Sequence, residues 1–168
     1  KGPKVILLGI DLGSVSVTAA VLAVDETRRG GDPALGLGRS PGDVDTSGFA
    51  VLRGLIREGP PFVPDPLEIT LPDGRTGVAG IIEYRRTRGR PFEAARELLE
   101  RVVEALGERP LDGVRVTGSG AELLHASLGL PQENEFRALA AATAALAPAT
   151  RTLVEIGGES SKILFFEP

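Results

Sequence analysis

The strongest constraint on this chain is a pattern that it carries twice. Ile10-Asp11-Leu12-Gly13-Ser14 and Val154-Glu155-Ile156-Gly157-Gly158 share one order: an apolar strand, a carboxylate near its end, then glycine with hydroxyl residues behind it. Lys4 to Leu12 is a continuous apolar run, and Ser16 to Asp25 is a second run rich in Val and Ala. Together they predict a hairpin of two buried strands turning at Leu12-Gly13-Ser14. Thr152 to Ile156, the Gly157-Gly158 turn and Lys162 to Phe166 predict another. One such hairpin is explained by turn chemistry alone, with glycine making the turn and the acid lying at a solvated strand end. Repetition at both ends of the chain, with Thr117-Gly118-Ser119-Gly120 as a third glycine turn between a strand and a helix, sets a shared chemical task level with plain turn chemistry.

A polyphosphate calls for such devices in pairs. Bare backbone N–H groups at a glycine turn receive its oxygens, and a nearby carboxylate holds Mg²⁺ or its water. Two hairpins facing one another would grip it from both sides. In that arrangement Asp11 and Glu155 are the metal- or water-positioning carboxylates. Ser14, Ser16 and the amides around Gly13 and Gly158 line the phosphates, and Lys162 adds a positive charge.

Between the hairpins the sequence changes character. Residues 28 to 66 carry no sustained period apart from a possible short helix at Phe49 to Arg57, and they read as a Gly/Pro-rich insertion. Leu67 to Thr70, then Pro72-Asp73-Gly74, then Val78 to Tyr84 reads as strand, turn, strand. From Pro91 the period becomes helical, with Ala95, Leu98, Leu99, Val102 and Leu106 on one face. Pro91 suits the first turn, Gly107 suits the end, and Glu97 with Arg101 forms a favourable pair four apart. A strand at Val114 to Val116 precedes a helix from Ala121 to Leu128. A further helix spans about Glu133 to Ala147, with Phe136, Leu139, Ala140, Thr143 and Leu146 toward its buried face. This order predicts an α/β domain with a mixed β-sheet flanked by helices.

Composition removes several classes of function. With 19 Lys and Arg against 23 Asp and Glu, the net charge is -4, which disfavours a nucleic-acid partner. No apolar run approaches the roughly 20 residues that cross a bilayer. The first residues lack the pattern of a secretory signal, so a cytoplasmic location is expected. There is no Cys, hence no disulfide and no thiolate metal site, and the single His cannot build a zinc site alone. That residue, His125, lies among apolar neighbours and reads as packed or surface histidine. The basic run Arg85, Arg86, Arg88, Arg90 reads as a solvated strand end.

GIDLGSVSVTAAVL, VTGSGAELL, LPQENEF and TLVEIGGESSKILFF, in that order, resemble the BadF/BadG/BcrA/BcrD-type ATPases. These are activators of 2-hydroxyacyl-CoA dehydratases, and the likeness is closest to the N-terminal module of the long CoA-substrate-specific activases. The resemblance covers residues 4 to 25, about 80 to 148 at lower density, and 151 to 166. It implies a ribonuclease-H-like, actin-like ATPase fold whose two lobes close over Mg-ATP or Mg-ADP, a homodimer, and electron transfer from a [4Fe–4S] cluster to a dehydratase-type partner. Asp11, Gly13, Ser14 and Ser16 match the family's first phosphate motif, and Glu155, Gly157, Gly158, Glu159 and Lys162 match the second. Gly118 and Ser119 fall in the middle motif, and Glu135 matches an acid near the metal. Thr18 stands where the first motif has Lys, Ser160 where the second has Asp, and Leu139 replaces a His of the short members. On this reading residues 1 to 150 are a first lobe and 151 to 168 open a second, truncated one, with the cluster ligands beyond Pro168.

Three functions are therefore expected, in this order. The first is the ATP-binding lobe of an activase-like ATPase, with Asp11 and Glu155 as its catalytic carboxylates and Asp11, Glu135 and Glu155 as its metal ligands. The second is a non-hydrolysing scaffold module with a degenerate nucleotide site, for which Thr18 and Ser160 speak. The third is half of a sugar-kinase-like phosphotransferase.

Overall fold

The computed structural model describes residues 4–29, 67–71 and 73–167. The first hairpin forms as its apolar runs predict. β1 (Lys4–Leu12) and β2 (Ser16–Arg29) pair antiparallel from Lys4 opposite Asp25 to Leu12 opposite Val17. Alternation decides what each face does. Ile6, Leu8, Ile10 and Leu12 point to one side with Val17, Ala19 and Val21, and all are buried. Asp11 points to the other.

β3 (Leu67–Thr70) and β4 (Arg75–Arg86) form a second antiparallel pair, with Gly74 at φ 81° making the reversal. β4 runs longer than the expected Val78 to Tyr84 because it lies along almost all of β2. Its register shifts opposite Ala19 and Ala20, leaving Ile82 as the extra residue of a bulge. The bulge turns Glu83 and Arg85 toward the helix side of the sheet.

α1 (Pro91–Leu106) begins with proline in its first turn and ends at Gly107, whose φ of 59° closes the helix, as the sequence predicts. It carries the chain from β4 across to β5 (Gly113–Thr117), which lies parallel to β1 with Asp11 opposite Thr117. A parallel neighbour requires such a crossover. The resulting five-stranded mixed sheet has the order β3-β4-β2-β1-β5. Ala94, Ala95, Leu98, Val102 and Leu106 of α1 pack on it, joined by Ala121 and Leu124 of α2 (Ala121–Leu128). The chain is therefore mixed α/β with a helix-flanked sheet.

The expected Glu97–Arg101 pair is replaced by cross-element pairs. Arg85 Nη1 meets Glu97 Oε2 at 2.6 Å and Arg101 turns to Glu83, because the bulge presents both β4 residues to α1. Leu98 is 1% exposed at the centre of this packing. A Leu98→Ala variant is expected to lose about 2–5 kcal/mol of stability through the cavity it leaves. Denaturant unfolding should read that loss as a lower midpoint at unchanged slope.

α3 (Glu135–Leu146) starts two residues later than expected. Asn134 occupies the cap, its Oδ1 accepting from the Phe136 and Arg137 amides at 2.9 and 3.2 Å. Its expected buried face is also corrected. No residue of α3 is buried, Phe136 is 51% exposed, and the core cluster contains none of this helix's side chains. β6 (Thr152–Ile156) and β7 (Ser161–Phe165) then pair with each other in a separate two-stranded sheet.

Of the expected insertion, residues 28 and 29 belong to β2. The rest of it, with the helix expected at Phe49 to Arg57, lies outside the described residues. Among the described residues no helix is long and apolar enough to cross a membrane.

Candidate functional site

The two glycine turns have the same local hydrogen bond. Gly13 N–H donates to Ser16 O at 2.9 Å, and Gly157 N–H donates to Ser160 O at 2.9 Å. In each, a side chain on the glycine would meet that same carbonyl, at 3.4 and 3.0 Å respectively. The strand registers match as well. Asp11 lies opposite Thr18 across the first turn, and Glu155 opposite Lys162 across the second.

The turns also meet in space. A Cβ on Gly158 would lie 3.0 Å from Val15 Cγ2, so the tips of the two hairpins touch. The third turn joins them, with Ser119 Oγ donating to Glu159 Oε2 at 3.3 Å. Gly118, at φ 94°, comes so near the end of β1 that a Cβ there would lie 2.4 Å from Asp11 Oδ1 and 2.5 Å from Leu12 O. Gly120 N–H holds that same Leu12 carbonyl at 2.7 Å. Glycine at 118 is thus required by both backbone conformation and space.

Lys162 connects the second hairpin to α3. Its Nζ lies 2.7 Å from Glu155 Oε2 and 3.3 Å from Glu135 Oε1, with the side chain only 10% exposed. The hydrogen bond that Lys162 donates to Glu155 pushes its ammonium above its usual range; burial opposes this and Glu135 adds to it. Asp11 keeps part of its surface in water, yet burial of its carboxylate among the turns raises its pKa. The negative charges of Glu135 and Glu155 raise it further, and Lys162 pulls it back. Three carboxylates thus act around one ammonium, leaving a negative centre.

The structure therefore brings Asp11, Gly13, Gly118, Ser119, Glu135, Glu155, Gly157, Gly158, Glu159 and Lys162 into one neighbourhood. Ser14 and Ser16 flank the first turn, Ser14 exposed and Ser16 half-buried. Among the described residues, no group of three or more carboxylates and imidazoles could hold a metal ion as the side chains stand. Lys162, expected on a phosphate, lies between the two glutamates that the sequence reading assigned to the metal. His125 is apart from the site, its Nδ1 3.0 Å from Leu130 O.

Sequence reasoning missed Thr87. It is buried, its Oγ1 donates to Ser14 O at 2.7 Å and its N–H to Val15 O at 2.9 Å, strapping the first glycine turn to the β4–α1 connection. No sequence signal pairs residues 73 positions apart; the register of β2 on β4 is what brings them together. No family model matches this chain, and a search of curated proteins finds no match.

Proposed function

We propose that this chain is the nucleotide-binding lobe of a ribonuclease-H-like ATPase of the activase type, taking the phosphates of Mg-ATP between its glycine turns. The observation that carries the reading is the convergence on Asp11 of three glycine turns from separate parts of the chain. Antiparallel β1, β2 and β4, followed by a helical crossover to β5 beside β1, are compatible with such a fold. The matching turn geometries of the two hairpins add to this.

Among the described residues, the site offers the ligand charge and open backbone rather than a preformed metal cage. The close approach at Gly118 leaves the Asp11 carboxylate beside bare backbone, and turns of this kind offer N–H groups to anionic oxygens. The excess of carboxylate around Lys162 attracts a cation. When bound, Mg²⁺ would supply the charge that draws the phosphate oxygens and polarises the transferred group.

The chain's own residues do the remainder. Asp11, made more basic by its surroundings, holds and orients a water at its carboxylate. Glu155 and Glu135 share the Lys162 ammonium, and with Asp11 they are the residues that would hold the cation. Because Lys162 ties Glu155 on β6 to Glu135 on α3, a change in that pairing would move the second hairpin. Such a movement is the mechanical output that a dehydratase-type redox partner would receive.

The scaffold reading has one observation of its own. Lys162 already pairs with both glutamates, and Thr18 gives Asp11 no equivalent ammonium. Calorimetric titration of ATP into the protein separates the two. With Mg²⁺ present, the Asp11→Asn variant is expected to bind roughly 10- to 100-fold more weakly than wild type, the worth of one charged hydrogen-bonding group. With Mg²⁺ chelated that difference should vanish or reverse, since the carboxylate then only repels phosphate. No binding by folded wild-type protein would leave the scaffold reading.

A further inference from the structure

Two buried side-chain polar atoms among the described residues have no hydrogen-bond partner, Arg101 Nε and Thr117 Oγ1. Arg101 is otherwise engaged through its ion pair with Glu83. Thr117 is not. It ends β5, and its register partner on β1 is Asp11. Directly opposed residues on neighbouring strands leave the sheet on the same side, so Thr117 projects on the side that Asp11 does. Thr18, opposite Asp11 on β2, does the same. The carboxylate therefore stands in a row between two threonines.

A buried hydroxyl without a partner is held at a desolvation cost that valine, of nearly the same shape, would avoid. The folded chain gives this hydroxyl no structural bond to make. The nearest charged acceptor that the register supplies is Asp11, whose Oδ1 is turned against Gly118. We propose that Thr117 is a positioning residue of the Asp11 site. When Mg-nucleotide is seated, its Oγ1–H donates to the Asp11 carboxylate and fixes the orientation in which that carboxylate holds its water. This inference rests on the nucleotide-binding reading above.

The test compares Thr117→Val and Thr117→Ser with wild type, reading Mg-ATP affinity by calorimetry and the melting temperature of each unliganded protein. Thr117→Val is expected to melt at or above wild type, since it removes an unpartnered polar atom, while binding Mg-ATP about 10-fold more weakly. Thr117→Ser, which keeps the hydroxyl and loses the methyl, should bind close to wild type. Binding by Thr117→Val equal to wild type overturns this inference and leaves the nucleotide reading intact. A Thr117→Ser protein that binds as weakly as Thr117→Val also overturns it, assigning the residue to packing. Absence of Mg-ATP binding in wild type overturns both.

Discussion

Gly118→Ala is expected to cost about 4 kcal/mol of stability and to lower the melting temperature by about 10 °C. Two independent penalties combine there. The backbone φ of 94° lies where a side chain is strained, and the added carbon would sit 2.4 Å from Asp11 Oδ1 and 2.5 Å from Leu12 O. The carboxylate can rotate away, but the Leu12 carbonyl is tied to Gly120 N–H and cannot. Gly129→Ala provides the control, because Gly129 has a φ of 67° with nothing within 4 Å of the position a Cβ would take. It should lose only about 1 kcal/mol. Equal losses at the two positions would mean that the third turn does not press on β1.

Asp11→Asn carries the second large effect, with opposite signs for stability and binding. The folded protein holds the Asp11 carboxyl above its ordinary range, first through burial and then through Glu135 and Glu155. A group whose pKa rises on folding favours the native state when protonated. Its contribution is fully present below the unfolded pKa and is lost as pH rises through the folded one. At neutral pH the carboxylate is therefore a burden, and its amide should melt about 1–3 °C higher, a small gain because water still reaches the group. The gap should close as the solution is acidified through the Asp11 titration. The same variant should lose Mg-ATP affinity, so the site would be one where binding chemistry is kept at the expense of stability. A wild-type protein that melts above Asp11→Asn at neutral pH would contradict this electrostatic account.

Much of the architecture was legible wherever local chemistry and tertiary packing agree. The β1–β2 hairpin follows from two apolar runs broken at glycine, and α1 from a stripe repeated over four turns between Pro91 and Gly107. The third turn was legible because Gly118 and Gly120 separate a strand from a helix. What failed depended on partners far along the chain. α3 carries the spacing of a buried helix, yet Phe136 lies half in water, since a periodic stripe says what a helix could bury and not what covers it. The bulge at Ile82 exchanges the ion pairs of α1, and nothing in the alternation of Val78 to Tyr84 announces it. Lys162 was legible as a site residue by its place beside the second turn. Its grip on Glu135 depends on how α3 meets β7, which spacing does not encode. Thr87 had no sequence signal, and Thr117 stood in the third turn without a role of its own, because each matters only through the strand register.

The central claim is that three glycine turns form one cradle for a Mg-nucleotide, and amide chemical shifts test it most directly. In a ¹⁵N-labelled sample titrated with Mg-ADP and then with Mg-ATP, the account predicts saturable shifts concentrated at Gly13, Ser14, Gly118, Ser119, Gly157 and Gly158. The α1 amides over the core should stay unchanged. Shifts absent from all three turns at saturating nucleotide, or confined to a surface away from Asp11, would contradict it.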